Sequence, residues 1–283
     1  MSWLIRISDI QRDIYYSDPA CFGSQKVVDT VVDDIAHTIG VNRAALNVEA
    51  AAKGLAAGCY RLITKSHEVI DARWTTMDTL IPRLEDIDMT ETSNVEWILI
   101  LEKEAVFHRL ARNGYHTRAA AGKGILITGK GYPDIDTRAF VRCLYDSKYR
   151  PQAMPRFYAL VDGDPDGIAI MSTYKYGSMT YVRENGKLNI PNLQWLGLHI
   201  SDIAAGIDPQ GDDALIRLTA RDRKKALAIL RNNPACVADG PEQEWRAELQ
   251  KMLMLNLKAE IEVLYDQDGG LEAWIDQNMT VTP

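Results

Sequence analysis

Three acidic residues follow two apolar segments that have the character of buried strands. Glu102 comes directly after WILIL (97–101), and Asp162 and Asp164 come directly after FYALV (157–161). In open parallel sheets, ligands bind beyond the carboxyl ends of the strands, and alternate residues of an extended chain point the same way. Such carboxylates suit Mg²⁺, which binds few of them, keeps several waters and can hold a phosphodiester while it is attacked. The pattern therefore predicts a magnesium site.

Helix capping is the alternative explanation for these acids. An aspartate after a strand often accepts hydrogen bonds from the first turn of the next helix. Capping fits Asp166, which precedes Gly167, better than it fits Asp162 or Asp164. The spacing alone leaves both interpretations open.

A tyrosine pair near the N-terminus offers a nucleophile. Tyr15 and Tyr16 are adjacent, and Arg12 lies four residues before Tyr16, on the same face if the segment is helical. A guanidinium and a metal-bound phosphate nearby would favour the phenolate and its attack. Adjacent tyrosines are also commonly one packed and one half-exposed residue, so the pair by itself does not establish catalysis.

Two glycine-containing segments carry groups that suit a phosphate backbone. GKGYP (129–133) has glycines that permit close backbone approach, a cation in Lys130 and an aromatic ring in Tyr132 that could stack on a base or sugar. YKYGS (174–178) adds Lys175. Each segment could equally be an ordinary turn, and neither matches a nucleotide-binding fingerprint.

The distribution of charge favours a nucleic-acid partner more than its sum does. The net charge is −7, yet residues 103–150 hold ten Lys/Arg against four Asp/Glu, and residues 236–283 hold ten Asp/Glu against three Lys/Arg. The middle could therefore present a basic face to phosphates. A solvated charged face is the alternative.

The bulk properties indicate an ordinary globular protein. A chain of 283 residues suggests two domains or one large one, and its 46% hydrophobic residues are an ordinary globular proportion. No apolar run approaches the ~18–20 residues of a membrane helix, so we expect no membrane association. The four cysteines form no CxxC pair, which disfavours zinc and a disulfide framework and favours a reducing compartment.

The segments before residue 97 predict a small helical module with a hairpin. Residues 25–39 have helical apolar spacing, with Ser24 as N-cap and Gly40 as terminator. Two short strands around a Lys53-Gly54 turn would complete a winged-helix module. Residues 64–95 are polar and acid-rich and are interpreted as a connection.

The rest of the chain alternates between strand and helix patterns. Strands at 97–101, 124–128 and 157–161 alternate with helices, which predicts a parallel, Rossmann-like sheet with helices on both faces. Helices at 222–232 and 242–265 would follow, the second packing through an apolar stripe. The fold class expected is α/β plus small α+β, with C-terminal helices.

Seven segments, in this order, resemble one known family. They are RDIYY (12–16), FGSQ (22–25), KGLAAG (53–58), ILEKEAVF (100–107), LITGKGYPDIDTR (126–138), LVDGDPDGIAIMSTYKYGS (160–178) and LQWLGL (193–198). The chain resembles the meiotic double-strand-break transesterases, which are homologues of the A subunit of topoisomerase VI. The resemblance covers about residues 10 to 200. The segment DPDG followed by IMSTYKYGS looks more like the eukaryotic meiotic branch than like the archaeal enzyme.

The resemblance implies a residue for each catalytic role. Residues 1–75 would form a winged-helix domain carrying the nucleophile Tyr16 and the assisting Arg12, with fewer residues before the tyrosine than family members usually have. Residues 76–283 would form a Toprim domain with a C-terminal helical extension. The metal ligands would be Glu102, Asp162 and Asp164, and the positions near DNA would be Lys53, Lys130, Tyr132 and Lys175.

The resemblance also implies a mechanism and partners. The tyrosine would attack double-stranded DNA in the presence of Mg²⁺, for which Mn²⁺ could substitute, and stay joined to the 5′ end. A homodimer would cut both strands at composite active sites, in the nucleus, together with accessory meiotic proteins and a topoisomerase VI B-like subunit. Two alternatives remain: a topoisomerase VI-type A subunit that passes strands with an ATPase partner, and a DNA-binding scaffold that is inactive without partners.

Overall fold

The chain forms two compact units, Met1–Ala52 and Lys53–Pro283. The computed structural model describes residues 9–40, 46, 48–49, 53–74, 78–92, 94–147, 154–177, 187–201, 203, 215–267 and 269–281. The division between the units, after Ala52, comes earlier in the chain than the boundary expected between residues 75 and 76. The extent of the winged-helix module stays a prediction.

The first unit is a group of short helices beside a pair of parallel strands. Its elements are β1 (Asp9–Ile10), α1 (Gln11–Ser17), α2 (Pro19–Phe22), α3 (Gln25–Ile39) and β2 (Val48–Glu49). The bounds predicted for α3 are confirmed, and Gly40 ends it in the left-handed region, at φ 78.

The apolar face predicted for α3 is only partly buried. Val28, Val32 and Ala36 are buried, as expected of a stripe at helical spacing. Four other apolar residues of the helix are between 44% and 62% exposed: Val27, Val31, Ile35 and Ile39. The apolar residues of α3 therefore lie on two stripes, of which one is packed.

The second unit contains most of the chain. Its strands are β3 (Leu55–Gly58), β4 (Arg61–Thr64), β5 (Val69–Asp71), β6 (Thr79–Leu80), β7 (Ile87–Glu91), β8 (Trp97–Leu101), β9 (Gly124–Thr128), β10 (Arg156–Leu160), β11 (Leu193–Gly197), β12 (Leu215–Arg217) and β13 (Leu257–Ala259). Its helices are α4 (Glu104–Arg112), α5 (Tyr115–Arg118), α6 (Ile135–Asp146), α7 (Pro165–Lys175), α8 (Ala220–Asn232), α9 (Gln243–Leu255) and α10 (Gly270–Val281).

A mixed, mainly parallel sheet of six strands forms the centre of this unit. The strand order is β11-β10-β8-β9-β3-β6, and the four strands β11, β10, β8 and β9 run parallel to one another. Every residue of β8 and β9 is buried, which explains why WILIL and GILIT are continuously apolar. The parallel pairing predicted for the strands at 97–101, 124–128 and 157–161 is confirmed, although the sheet as a whole is mixed.

The hairpin predicted around Lys53 and Gly54 is wrong. The strand β3 instead runs antiparallel to β9 and to β6, at the end of the main sheet. All four of its residues are buried. At Gly58, with φ +136, an added Cβ would lie 2.5 Å from the carbonyl oxygen of Gly124. Small residues there allow β3 to approach β9 closely, which a hydrophobic pattern alone does not indicate.

The segment interpreted as a connection is also structured. Within residues 64–95, β5 and β7 lie on either side of β4 in an antiparallel sheet of three strands. Its polar composition misled the interpretation because β5 has no buried residue and alternate residues of a sheet exposed on one face are polar.

The helix predicted over 242–265 ends early. The helix α9 stops at Leu255, because Asn256 takes a left-handed conformation with φ 58. The strand β13 and a 3₁₀ turn at Ile261–Tyr265 follow, and then α10. Leu249 and Met252 of the predicted stripe are buried, so this region packs onto the unit. Of the helices described, none is both long and apolar enough to cross a membrane.

Candidate functional site

The carboxyl ends of β8 and β10 bring two of the predicted metal ligands together. These strands are neighbouring and parallel, with Leu101 opposite Leu160, so the chain leaves both at the same edge. Glu102 and Asp162 follow there. The backbone N–H of Asp162 donates a hydrogen bond to Oε2 of Glu102 at 2.9 Å. The N–H of Glu102 donates to the carbonyl of Leu160 at 3.2 Å.

Burial and mutual repulsion disfavour the charge on this acid pair. Burial raises the pKa of Glu102 to about 8, and the negative charge of Asp162 adds to the effect. Burial also raises the pKa of Asp162 to about 6. A divalent cation between such carboxylates would offset both causes, since it replaces lost hydration and screens the repulsion.

The third predicted ligand, Asp164, is the N-cap residue of α7. Its Oδ1 accepts a hydrogen bond from the N–H of Gly167 at 2.8 Å, at the N-terminus of α7. Burial raises the pKa of Asp164, although the hydrogen bond from Gly167 opposes this. The capping explanation that the sequence assigned to Asp166 therefore belongs to Asp164. Asp166 instead forms an ion pair with Lys225.

The donor set fits a hard divalent cation. No cluster of three or more His, Cys, Asp or Glu side chains that could hold a metal is found among the residues described. Glu102 and Asp162 would hold such an ion, with waters completing its shell as Mg²⁺ prefers. A ligand role for Asp164 stays a prediction.

A lysine that the sequence reasoning missed contacts this pair. The Nζ of Lys103 lies 3.3 Å from Oδ2 of Asp162, 3.2 Å from Oε2 of Glu260 and 2.5 Å from Oε2 of Glu262. Burial lowers the pKa of Lys103, but the hydrogen bond to Glu262 and the charge of Asp162 outweigh it and the pKa is raised. Glu260 directly follows β13 and Glu262 lies in the 3₁₀ turn after it, and the helix predicted over 242–265 obscured both positions.

The GKGYP loop is attached to the same edge through Glu102. The N–H of Gly131 donates to the carbonyl oxygen of Glu102 at 2.9 Å. Lys130 has a positive φ of 54, and its side chain forms an ion pair with Glu104 at 2.8 Å. The backbone bond of Gly131 and the ion pair of Lys130 thus attach this loop to Glu102 and Glu104.

Lys53 holds this loop from the side. Its ammonium donates to the carbonyl oxygen of Tyr132 at 2.6 Å, and its backbone N–H donates to Oδ2 of Asp134 at 3.0 Å. Asp134 also caps α6 by accepting from Thr137. Lys53, predicted to lie near DNA, therefore has a structural contact with the loop as well.

Tyr132 belongs to a polar group at the loop surface. Its hydroxyl donates to Oδ1 of Asp166 at 3.1 Å and accepts from Lys225 at 2.5 Å. Lys225 comes from α8 and was not predicted by the sequence. The ring of Tyr132 remains exposed, which leaves a face for stacking.

Lys175 is paired with an acid from a distant part of the chain. Its Nζ lies 2.6 Å from Oε1 of Glu242, and their side chains are only 18% and 13% exposed. The same ammonium lies 5.5 Å from the ring centre of Trp245, and the hydroxyl of Tyr176 donates to Glu242. A DNA contact by Lys175 stays a prediction and would require this ion pair to open.

The two candidate nucleophiles lie on α1 in the first unit. Tyr16 is 67% exposed, whereas Tyr15 is half-buried, and their ring centres are 5.2 Å apart. Arg12 is in the same helix, one turn earlier, and its side chain lies outside the described part of the chain. The more accessible phenol is thus that of Tyr16.

Comparison with known families gives the two units their context. The family model for the Toprim domain of the topoisomerase 6 A-subunit/Spo11 proteins matches residues 97–273, and a type IIB DNA topoisomerase model matches residues 9–48. The chain belongs to the Spo11/topoisomerase 6 A-subunit family. Glu102, Asp162 and Asp164 lie within the Toprim match, and Tyr16 lies within the type IIB topoisomerase match.

Relatives in this family extend beyond the present chain. The chain is 38% identical to meiotic recombination protein SPO11-1 of rice (Oryza sativa subsp. indica) over 254 residues, which are 90% of the chain and 63% of the relative. It is 37% identical to human meiotic recombination protein SPO11, over 90% of the chain and 61% of the relative. It is 32% identical to the A3 subunit of rice DNA topoisomerase 6, over 90% of the chain and 54% of the relative. The chain thus spans about three fifths of the length of the SPO11 relatives.

Proposed function

We propose that this Spo11-family chain cleaves double-stranded DNA by magnesium-dependent transesterification and so initiates meiotic recombination. The observation that carries the proposal is the acid pair of half-buried Glu102 and buried Asp162, side by side at the carboxyl edge of the Toprim sheet. The raised pKa values of the pair at such an edge support a site for a cation or for proton transfer. The names of the SPO11 relatives supply the meiotic context.

Tyr16 is the proposed nucleophile. Its phenol oxygen forms a bond to a backbone phosphorus, the bond from phosphorus to the 3′ oxygen breaks, and the 5′ end stays joined to the protein. The phenol proton passes to solvent and the departing 3′ oxygen takes up a proton. Arg12, one turn before Tyr16 on α1, would favour the phenolate.

Glu102 and Asp162 are the proposed holders of Mg²⁺, with Asp164 as a third acid beside them. When bound, the ion supplies a charge that positions the phosphodiester and stabilises the departing oxygen. Lys130 and the exposed ring of Tyr132 lie on the loop bonded to Glu102, so they are placed to contact the DNA backbone and a base or sugar. Lys53 would support this DNA contact by holding the loop. Lys175 would reach DNA after leaving Glu242.

The proposed assembly is a homodimer on DNA. Each composite site would take Tyr16 from the winged-helix domain, residues 1–75, of one protomer. The metal would come from the Toprim region, residues 76–283, of its partner. Accessory meiotic proteins and a topoisomerase VI B-like subunit are the further proposed partners, and the nucleus is the proposed location.

A topoisomerase A subunit is the second candidate function. The similarity to the A3 subunit of rice DNA topoisomerase 6 favours it. ATP-dependent relaxation of supercoiled DNA with an ATPase partner would support this candidate. DNA binding in Mg²⁺ without any covalent adduct would instead support a scaffold.

A covalent-adduct assay tests the proposed chemistry. The protein is incubated with 3′-end-labelled duplex DNA and Mg²⁺ or Mn²⁺, stopped with detergent and resolved on a denaturing gel. We expect a labelled protein band that is lost in Tyr16→Phe and Glu102→Ala. The matched control Tyr15→Phe, which removes the neighbouring hydroxyl, should keep the band. An adduct that survives Tyr16→Phe would contradict the assignment of the nucleophile.

A further inference from the structure

The ammonium of Lys103 lies between the acid pair and a segment from the C-terminal region. Its Nζ is 3.3 Å from Oδ2 of Asp162, and Glu260 and Glu262 hold it from the other side at 3.2 and 2.5 Å. The side chain of Lys103 is 24% exposed and that of Asp162 is 11% exposed, so this contact is shielded from solvent, whereas the contacts with the more exposed Glu260 and Glu262 are partly screened. One cation thus connects a metal-ligand candidate with two acids far along the chain.

The same C-terminal segment binds the backbone beside Asp162. Ala259 and Gly163 exchange hydrogen bonds of 2.9 and 3.2 Å. The N–H of Ile261 donates to Oδ1 of Asp162 at 2.9 Å. Both carboxylate oxygens of Asp162 are therefore engaged, one by Ile261 and the other by Lys103.

The contacts of Lys103 have an electrostatic consequence for the pair. Asp162 lies against Glu102, and a positive charge near its Oδ2 reduces their repulsion. A lysine side chain is flexible and would lose this place without partners. Glu260 and Glu262 supply those partners. Because the ammonium is positively charged and lies beside Asp162, it also opposes the approach of a metal ion to this carboxylate.

We propose that Lys103 is a positioning residue that serves as a built-in counter-ion for Asp162, and that it competes with the divalent metal for this carboxylate. In the metal-free protein the ammonium fixes Asp162 in place. When the metal binds, Asp162 exchanges the ammonium for the ion, and Lys103 keeps its ion pairs with Glu260 and Glu262. This role rests on the proposed metal-dependent function and deepens it.

Titration of the protein with Mn²⁺ tests this role without DNA or cleavage. Binding is followed from the signal of free Mn²⁺ in electron paramagnetic resonance, and thermal unfolding is recorded in chelator and in Mn²⁺. We expect Lys103→Met to lower the melting temperature in chelator but to bind Mn²⁺ about three- to tenfold more tightly, because the competing charge is gone. A purely structural role would weaken Mn²⁺ binding instead.

Three further variants separate the role from general charge effects. Lys103→Arg keeps the charge and should behave like the wild type. Lys225→Met removes another ion-paired lysine, one whose partner is Asp166 and not Asp162. It should change the Mn²⁺ affinity by no more than about twofold, because a charge that does not contact the ligands is screened. When Glu102 is also replaced by glutamine, Lys103→Met should no longer tighten Mn²⁺ binding. A new metal site made by Glu260 and Glu262 would not depend on Glu102, so this result would exclude it.

A second test remains if Lys103→Met does not fold. The double variant Glu260→Gln/Glu262→Gln leaves the ammonium with Asp162 as its acidic partner, so Mn²⁺ should bind about threefold or more weakly. Unchanged or tighter binding would overturn the proposal.

The outcomes distinguish this inference from the proposed function. If the wild type binds Mn²⁺ through Glu102 but Lys103→Met binds no more tightly, only the role of Lys103 is overturned. If the wild type binds no Mn²⁺, or binds it equally well as Glu102→Gln, the metal-dependent function fails together with the inference.

Discussion

The amide of Asp162 donates a hydrogen bond of 2.9 Å to the carboxylate of Glu102, so two acids 60 residues apart in the sequence lie side by side in a partly buried site. The bond fixes the side chain of Glu102 against the end of the neighbouring strand. It leaves the carboxylate of Asp162 free for other contacts, which Ile261 and Lys103 provide. The pair is thus organised by backbone as much as by side chains.

Replacing Glu102 by glutamine should stabilise the metal-free protein at alkaline pH. The folded pKa of about 8 lies above the ordinary value of 4.5, so folding favours the protonated acid. This contribution is complete below about pH 4.5 and is lost as the pH rises through 8. Glu102→Gln mimics the protonated form and should gain about 1–3 kcal/mol at pH 8.5 in chelator, after allowance for the partial exposure. Urea denaturation measures it, and an equal gain at pH 4.5 would contradict this cause.

Binding of a divalent ion should strengthen as the pH rises from 6 to 8.5. The ion requires ionised carboxylates, whereas burial holds protons on Asp162 up to about pH 6 and on Glu102 up to about pH 8. We expect the apparent dissociation constant for Mn²⁺ to fall about tenfold or more over this range. Calorimetry in buffers of different ionisation enthalpy should detect released protons. In Glu102→Gln the dependence above pH 7 should largely disappear, and a wild type with a flat profile would argue against the pair as ligands.

Gly58→Ala should destabilise the protein strongly. An added Cβ would lie 2.5 Å from the carbonyl oxygen of Gly124 and 2.8 Å from Cα of Ile125, at a φ of +136. Because the obstacles are backbone atoms of a central strand, we expect a loss of about 3 kcal/mol or more in the free energy of unfolding. Gly40→Ala is the control, since it also has a positive φ but no atom within 4 Å, and it should lose only about 1 kcal/mol. Equal losses in both would mean that the close approach of β3 to β9 is unimportant.

Glu242→Gln alone should destabilise the protein more than the double variant that replaces both Glu242 and Lys175. It would leave Lys175 as a mostly buried charge without its carboxylate, which typically costs about 3 kcal/mol. Lys175→Met/Glu242→Gln should recover at least about half of this loss, and a thermal double-mutant cycle gives the coupling energy. Additive losses would show that the pair is not coupled. If Glu242→Gln also tightens DNA binding in a filter-binding assay, Lys175 is available to DNA once released.

Local sequence patterns were sufficient to predict the elements of the site. The continuous apolar runs WILIL and GILIT could be recognised as buried strands because both faces of a parallel sheet are covered. The bounds of α3 followed from helical spacing and the terminating Gly40. The position of Glu102 and Asp162 at one edge followed from the rule that parallel strands end together.

Patterns failed where the outcome depended on a distant partner. The strand β3 looked like half of a local hairpin, but it pairs with β9, about 70 residues later, because Gly58 permits a close backbone approach. The stripe after Leu249 read as one continuous helix, yet Asn256 interrupts it. A helical period and the small residues of β3 do not reveal these choices.

The sequence by itself determined which chemical groups this protein has, and its apolar patterns placed the acids at strand ends. The tertiary structure decided how those groups are used. It assigned Asp164 to a helix cap, tied Lys175 to Glu242 and placed Lys103 between Asp162 and the two acids of the C-terminal segment. The reason is physical: the charge state and orientation of a buried group depend on neighbours that folding brings from elsewhere in the chain, and short-range patterns carry no record of them.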